Sequence, residues 1–404
     1  MSSYDTIIIG GGPAGSSAAI SLSKRGARVL VLEEKHMPRG KVCGEFITPE
    51  CFPTLERLGV MERMITVGAQ KIERVSLVVT GGKTVQTHVA GMSDHAPWAM
   101  SLSRALFDQI LFDRARETGA TCLEGVAVNG CVFDGGGSGT VDALSLKEGT
   151  KVSFKAPIVI DASGRNSRLM VDRRERVAGR RGSRLYALKA HFRGIEGIDN
   201  QVEMYFFPQG YGGLARVEDG LVNLCFIVNE NTLKEAGGDP SKVVAVTLMK
   251  NPLARERLGG AELAGKWHSA GPLSFGRRRL TRDGVLAIGD ASGMIDPFTG
   301  TGIQIALRTG EMAAEAITKA IGAVNGSGTA ERQSTAFDAA LEHYARQYEN
   351  EFYGRMRVAG LFRTAAFSPA TASVVASVLT RMPRLTNLVL RATRSSNGAH
   401  NGAG

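Results

Sequence analysis

Apolar positions along this chain fall into short continuous runs, helical repeats and period-two alternations, each in its own region. Continuous runs at residues 4–9 and 28–33 stop at or follow glycines, Gly10 and Gly26. Such runs predict strands buried on both faces. Between them, residues 16–24 carry a helical pattern, so the first stretch predicts a β-α-β unit. Residues 103–118 repeat helical spacing through Leu106, Ile110, Leu111 and Ala115, and residues 53–64 predict a short helix. Alternation at 75–80 and 84–89 around Gly81-Gly82 predicts a hairpin. Further strands are expected at 121–128, 130–133, 143–147 and 158–160. The stretch 184–275 is strand-rich, at 185–192, 202–207, 213–217 and 222–228, with one helix near 241–249. Residues 285–288 return to a doubly buried strand, and 302–321 read as a long helix.

This order predicts an α/β protein. A dinucleotide-type domain is assembled from 1–60, 100–182 and 280–330, with a β-rich substrate domain from 61–99 and 183–279. A helical region over 331–394 and a disordered polar tail over 395–404 complete the expected layout. The 404 residues are 43% hydrophobic, enough for a real core. No apolar run reaches the roughly 18 residues of a membrane span.

The net charge of +10 changes the picture only through its location. Residues 352–404 hold Arg355, Arg357, Arg363, Arg381, Arg384, Arg391 and Arg394 and no Asp, Glu or Lys. A solvated basic face is one reading, and peripheral contact with anionic lipid is another. No nucleic-acid motif accompanies the arginines. Cys43, Cys51, Cys122, Cys131 and Cys225 have no metal-type spacing, so no metal is expected. Free thiols and a start that runs straight into a strand suit the cytoplasm. Oligomeric state is not legible.

The chemistry begins with Gly10-Gly11-Gly12-Pro13-Ala14-Gly15. In a strand–turn–helix, Gly10 serves the tight turn, Gly12 the approach of a pyrophosphate, and Gly15 the helix–strand packing. Glu33 closes the second strand and suits unphosphorylated ribose hydroxyls, so the nucleotide is NAD- or FAD-like. Gly289-Asp290 follows the 285–288 strand. Asp296-Pro297-Phe298-Thr299-Gly300-Thr301-Gly302-Ile303 opens the long helix.

Together these segments resemble the FAD-dependent superfamily of aromatic-hydroxylase-type monooxygenases, geranylgeranyl reductases and flavin halogenases, over most of 1–330. The resemblance implies a Rossmann-like FAD-binding domain of the glutathione-reductase type, an inserted β-sheet substrate domain, C-terminal helices and non-covalent FAD. It implies cofactor contacts from Gly10, Gly12, Gly15, Glu33, Arg39, Gly44, Arg104, Asp161, Gly289, Asp290, Pro297, Gly300, Gly302 and Ile303. The segment Pro38-Arg39-Gly40-Lys41-Val42-Cys43-Gly44-Glu45 is most similar to the reductases. It implies Cys43 as a proton donor near the flavin, with Tyr211 as another. Tyr205, Phe207 and Tyr211 are expected to line a substrate pocket. Halogenases carry a Trp-x-Trp pair, whereas Trp98 and Trp267 are far apart, and Lys71 and Lys83 read as surface lysines. His88, His95, His191 and His268 read as structural or surface residues.

The expected function is FAD-dependent reduction of a C=C in a hydrophobic small molecule, a polyprenyl, quinone or polyketide-like compound. Monooxygenation of such a substrate is the alternative, and a membrane-docked electron-transfer flavoprotein is the third reading. With no second glycine fingerprint, NAD(P)H is expected only as a transient electron donor.

Overall fold

The computed structural model describes residues 4–79, 81–133, 138–170, 184–324 and 330–367. The expected tail 395–404, and the helical region beyond 367, lie outside the described residues. In chain order the elements that matter are β1 (Thr6–Ile9), α1 (Pro13–Ser23), β2 (Val29–Glu33), β3 (Arg74–Val78), β4 (Thr84–His88), α2 (Arg104–Glu117) and β5 (Thr121–Glu124). They continue with β6 (Val126–Phe133), β7 (Gly139–Ser145), β8 (Lys151–Ala156), β9 (Ile158–Asp161), β10 (Leu185–Arg193), β11 (Gln201–Phe207) and β12 (Gly210–Arg216). The last are β13 (Val222–Asn229), β14 (Glu262–Leu273), β15 (Thr281–Arg282), β16 (Val285–Ala287), α3 (Gly302–Val324) and α4 (Ala330–Phe367).

Strands β1, β2, β9 and β16 are buried along their whole length, which is why they read as continuous apolar runs. They form a six-stranded sheet in the order β15-β16-β9-β1-β2-β5, parallel except for β15. Helices α1 and α3 cross on one face of it. The crossing is close because Gly310 of α3 has no side chain: a Cβ there would lie 2.5 Å from the Ala14 carbonyl oxygen. Ser17 seals the contact by donating its hydroxyl to the Leu307 carbonyl at 2.7 Å.

A seven-stranded sheet has the order β14-β10-β13-β12-β11-β3-β4. All its pairs are antiparallel except β11 with β3. Its hairpin β3–β4 is the one expected from Gly81-Gly82. Strand β14, twelve residues long, has no counterpart in the sequence reading: it is an edge strand, mostly exposed, with no clean alternation. Strand β8 is not among the strands expected from sequence either, although its burial alternates along its whole length.

Candidate active site

Gly10 leaves β1 with φ +105, a conformation glycine adopts without strain. The chain then enters α1, whose N-terminus no side chain caps. Gly12 faces open space except for the Arg39 guanidinium, 3.4 Å from where its Cβ would be. Glu33, at the end of β2, accepts the Gly11 N–H at 2.7 Å and the Lys35 N–H at 3.0 Å, and its carboxylate lies 3.4 Å from Arg39. An uncapped helix end beside a glycine-bare turn is an anion cradle.

This cradle opens into a cavity of about 780 Å³ between the two sheets. Gly10, Gly12, Glu33, Arg39, Gly44, Arg104, Gly289, Asp290, Pro297, Gly300, Gly302 and Ile303 all line it. Two expected cofactor residues do not. Gly15 is spent on packing, since a Cβ there would sit 1.9 Å from the Gly10 carbonyl oxygen. Asp161 is fully buried, and its carboxylate accepts from the Ser163 N–H at 2.9 Å and from the Ser163 and Ser167 hydroxyls. It braces the turn after β9, and the turn itself, from Ala162 to Asn166, reaches the cavity.

Arg104 opens α2 and lies buried, gripping Asp108 through two bonds of 2.7 and 2.8 Å. Burial alone would lower its pKa, but Asp108 and the Cys43 sulfur outweigh burial and hold it up. Lys41 also lines the cavity. Burial, then the Arg39 and Arg104 guanidiniums, push its ammonium down to about 8 against the pull of Asp290 and Asp108.

The seven-stranded sheet supplies the opposite wall, and its register sorts residues into rows. One row runs His268, Lys189, Cys225, Gly213, Met204, Leu77 across six strands. The next holds Ala270, Ala187, Ile227, Tyr211 and Phe206. Cross-strand partners share a face, and nearly all of these residues touch the cavity. Strand parity corrects one expectation: Tyr205 and Phe207 point to the other face, into a separate core with Leu188, Leu214 and Phe226. Tyr205 donates its hydroxyl to Glu203 there. Met204 lines the cavity, and Phe206 stacks against Tyr211 and Phe298, at ring-centroid distances of 6.4 and 5.8 Å.

Tyr211 does line the cavity, but it is a poor acid. Burial and the Asp296 carboxylate, which accepts its hydroxyl at 2.6 Å, push its pKa far up. Its role is to hold Asp296, which also accepts the Phe298 N–H at 3.0 Å and so shapes the turn before α3.

Cys43 sits where a donor would be useful. It lines the cavity, and its sulfur accepts the Glu45 N–H at 3.3 Å. Asn223 of β13 holds its carbonyl at 3.1 Å. Around it the structure gathers groups the sequence did not bring together. Glu45 is fully buried with φ +58 and accepts the Arg104 N–H at 2.7 Å. It also takes the Lys189 ammonium, and pairs with His191 Nε2 at 2.7 Å. His268 lines the cavity next door, its pKa lowered by burial and then by Lys189. Strand pairing sets Lys189 beside His268, and Glu45 reaches Lys189 and His191 from 144 and 146 positions away.

The tryptophans stay apart: Trp98 stacks on Phe52 and Trp267 on Phe192 and Phe226. Lys71 is exposed and paired with Glu73, and Lys83 is exposed. Among the described residues no cluster of His, Cys, Asp or Glu could hold a metal, and no helix is long and apolar enough to cross a membrane. Of the C-terminal arginines, Arg355 turns inward, where it is 4% exposed and bonds Gln304 at 3.2 Å. That residue departs from the expectation of a solvated basic face.

Comparison with known proteins agrees with this geometry. A menaquinone reductase of Mycolicibacterium smegmatis is 29% identical over 362 residues, covering 85% of this chain and 82% of the relative. A pyrrole-2-carbonyl carrier-protein brominase of Pseudoalteromonas luteoviolacea is 26% identical over 329 residues, covering 79% and 78%. Among solved structures, a flavin-dependent brominase superposes with TM-score 0.77 at 23% identity, covering 97% of this chain and 93% of that one. A geranylgeranyl bacteriochlorophyll reductase-like protein of Thermoplasma acidophilum gives 0.71 at 19%, covering 98% and 92%. Structural matches at such identities show a shared fold. The family model described as FAD binding domain matches residues 3–335, so the chain belongs to that family of FAD-dependent oxidoreductases.

Proposed function

We propose that this protein reduces a carbon–carbon double bond in a long, apolar, unsaturated small molecule of the polyprenyl-quinone kind. The observation that carries the reading is the cavity's division. Leu77, Val75, Val202, Met204, Ala187, Ile227 and Ala270 offer an apolar floor, while Cys43, His268 and Ser269 add polar groups to the lining. Six strands at about 4.8 Å spacing make that floor roughly 24 Å wide, room for an extended chain. The similarity to a menaquinone reductase supports the same substrate class.

The residues present fit FAD. The uncapped α1 end and bare Gly12 suit the pyrophosphate, Glu33 the ribose, Asp290 the ribityl chain, and the Gly300–Ile303 backbone the ring. Bound and reduced, FAD supplies a hydride. The protein's own residues do the rest. The apolar rows orient the substrate and exclude water, Cys43 gives up the proton, and Arg104 beside its sulfur stabilises the thiolate left behind. NAD(P)H, or a separate reductase, is the proposed source of electrons.

A second reading, oxygen-dependent attack on the same substrate, draws on the similarity to flavin-dependent halogenases. One experiment separates the two. The holoenzyme is reduced under nitrogen and mixed with menaquinone in detergent. The reductase reading expects flavin reoxidation and a product that stays two hydrogens heavier after air has returned any quinol ring to the quinone. Reoxidation only when O₂ is admitted, with labelled oxygen or halide entering the product, replaces it with the second reading.

A further inference from the structure

Of the five cysteines, Cys43 and Cys225 line the cavity, and Cys51, Cys122 and Cys131 do not. Two contacts bring this pair to one spot of the wall. Asn223 and Cys225 are two apart on β13 and so share one face of it. Asn223 holds the Cys43 carbonyl at 3.1 Å, and the Cys225 sulfur rests against the Cys43 N–H. A disulfide needs its two Cα atoms within about 7 Å. A sulfur set against the other residue's own backbone brings them to that range. Cys43 belongs to the irregular segment 39–45. Nothing beyond its chain neighbours lies within 4 Å of where a Gly44 Cβ would be, so the loop has room to turn its thiol.

The thiols differ in which reacts first. The Arg104 guanidinium lies beside the Cys43 sulfur, and the Glu45 N–H reaches it at 3.3 Å. Both stabilise negative charge on that sulfur as it attacks an electrophile. Cys43 is partly exposed and its neighbour Gly44 is exposed, so a small oxidant reaches it from solvent. Cys225 is held as a thiol: burial, then Cys43 and Glu45, push its pKa up against the pull of Lys189 and the Cys43 N–H. Burial pushes Cys122 and Cys131 up to about 11. A thiol of that pKa is about one part in a thousand thiolate at pH 8. Cys51 is buried, with its sulfur 3.8 Å from the Thr48 hydroxyl.

We propose that Cys43 is a site of oxidation by hydrogen peroxide, and that Cys225 resolves it by closing a Cys43–Cys225 disulfide. The Cys43 sulfur attacks one peroxide oxygen and the O–O bond breaks. The departing oxygen leaves as water with the thiol proton, and Cys43 becomes a sulfenic acid. The Cys225 sulfur then displaces the sulfenic oxygen and forms the S–S bond, and its proton leaves with that oxygen as a second water. Two thiols lose two electrons in all, and the peroxide takes both. Peroxide is also what O₂ becomes on taking two electrons from a reduced flavin that has met no substrate. On the reductase reading, the bridge removes the proton donor and arrests turnover until a dithiol restores both cysteines. That consequence rests on the reductase reading, whereas formation of the bridge does not.

The test treats the FAD holoenzyme, without substrate, with hydrogen peroxide at pH 8. Remaining thiols are capped with N-ethylmaleimide, and the protein is digested without reductant and read by mass spectrometry. The Cys43 and Cys225 peptides should appear joined, two hydrogens lighter than their sum, and dithiothreitol should part them. The bridge should form at least about tenfold faster than oxidation at Cys51, Cys122 or Cys131. In Cys225→Ala, Cys43 should be captured by dimedone as the sulfenic acid, and should run on to a sulfinic acid that dithiothreitol does not reverse. Peroxide-treated wild-type enzyme should recover anaerobic turnover of menaquinone after dithiothreitol is added and removed, where Cys225→Ala does not. Wild-type Cys43 that runs to sulfinic acid with no joined peptide overturns the resolving role of Cys225. Oxidation of Cys43 no faster than of Cys122 or Cys131 overturns the site. If untreated enzyme gives no anaerobic product, the reductase reading fails, and the joined peptide still supports the bridge. If untreated enzyme turns over and the joined peptide is missing, the bridge fails alone.

Discussion

Gly10, Gly12 and Gly15 look equivalent in sequence and differ sharply in what surrounds them. Cβ atoms on Gly10 and Gly15 would meet backbone at 2.5 and 1.9 Å, whereas Gly12 has only the tip of a flexible arginine near it. Gly12→Val is therefore expected to fold, with a melting temperature close to that of wild-type apoprotein, but to emerge colourless after purification. Gly15→Val must displace main chain and should lose stability by about 1–3 kcal/mol or more. Absorbance at 450 nm and thermal unfolding, measured side by side, check both. If Gly12→Val retained FAD, the cradle would lie elsewhere. Lys41 gives a prediction in pH. Its lowered pKa, about 8, means it is charged at pH 7 and mostly neutral at pH 9. An anionic ligand is then held more weakly as pH rises through 8. FAD dissociation constants are expected to rise between pH 7 and 9 by up to about tenfold, roughly 1.4 kcal/mol. In Lys41→Met they should start higher and stay level over that range. The glycine turn and Glu33 were legible in sequence because their geometry is local. The turn-bracing role of Asp161 was not, because it depends on where Ser163 and Ser167 fold back.

At the scale of elements, strand position was easier to read than strand parity. The alternation in β11 predicts a strand, but two faces are available and both carry aromatic residues. Which one meets the cavity follows from the register with β12 and β3, fixed only in three dimensions. The same ignorance hid Lys189 and His191, whose strand β10 was expected but whose facing side was not, and it hid His268 because β14 is an edge strand whose pattern does not announce itself. Parity makes a contrast that can be measured. Met204→Trp adds bulk to the cavity floor and should slow turnover of a long apolar substrate while FAD content is unchanged. Tyr205→Phe, one residue away, removes a hydroxyl donated to Glu203 in the opposite core. It should leave turnover within about twofold and cost roughly 1 kcal/mol of stability. Loss of turnover in Tyr205→Phe with normal turnover in Met204→Trp would invert the assignment of faces.

At the scale of the whole molecule, the cavity is the seam along which the chain closes. Its walls draw on β1 and β2, on the turn after β9, on the Gly289–Asp290 turn after β16, on the start of α3 and on the face of the seven-stranded sheet. These segments lie far apart in sequence, so a ligand that fills the seam ties the two sheets together. Anything that binds the folded state alone stabilises it by mass action, about 2.7 kcal/mol at a hundred times its dissociation constant. Apoprotein is thus expected to melt below holoprotein, with the gap growing as free FAD is raised. Asp290 makes the argument quantitative. It lines the cavity at the end of a parallel strand, where α/β sheets bind ligands. Asp290→Ala removes a charge-assisted hydrogen bond worth roughly 1.5–3 kcal/mol, a loss of about 10- to 150-fold in FAD affinity. The apoprotein of this variant should melt as wild-type apoprotein does, because the binding partner it loses belongs to the ligand. The variant's holo–apo gap should shrink at fixed FAD and return when FAD is raised by the same factor that affinity fell. A gap that stays at the wild-type value would remove Asp290 from the FAD site. A fall in apoprotein stability of the same size as the lost gap would make Asp290 a structural carboxylate, bound into the field of Lys41 and Arg165 rather than waiting for a ligand.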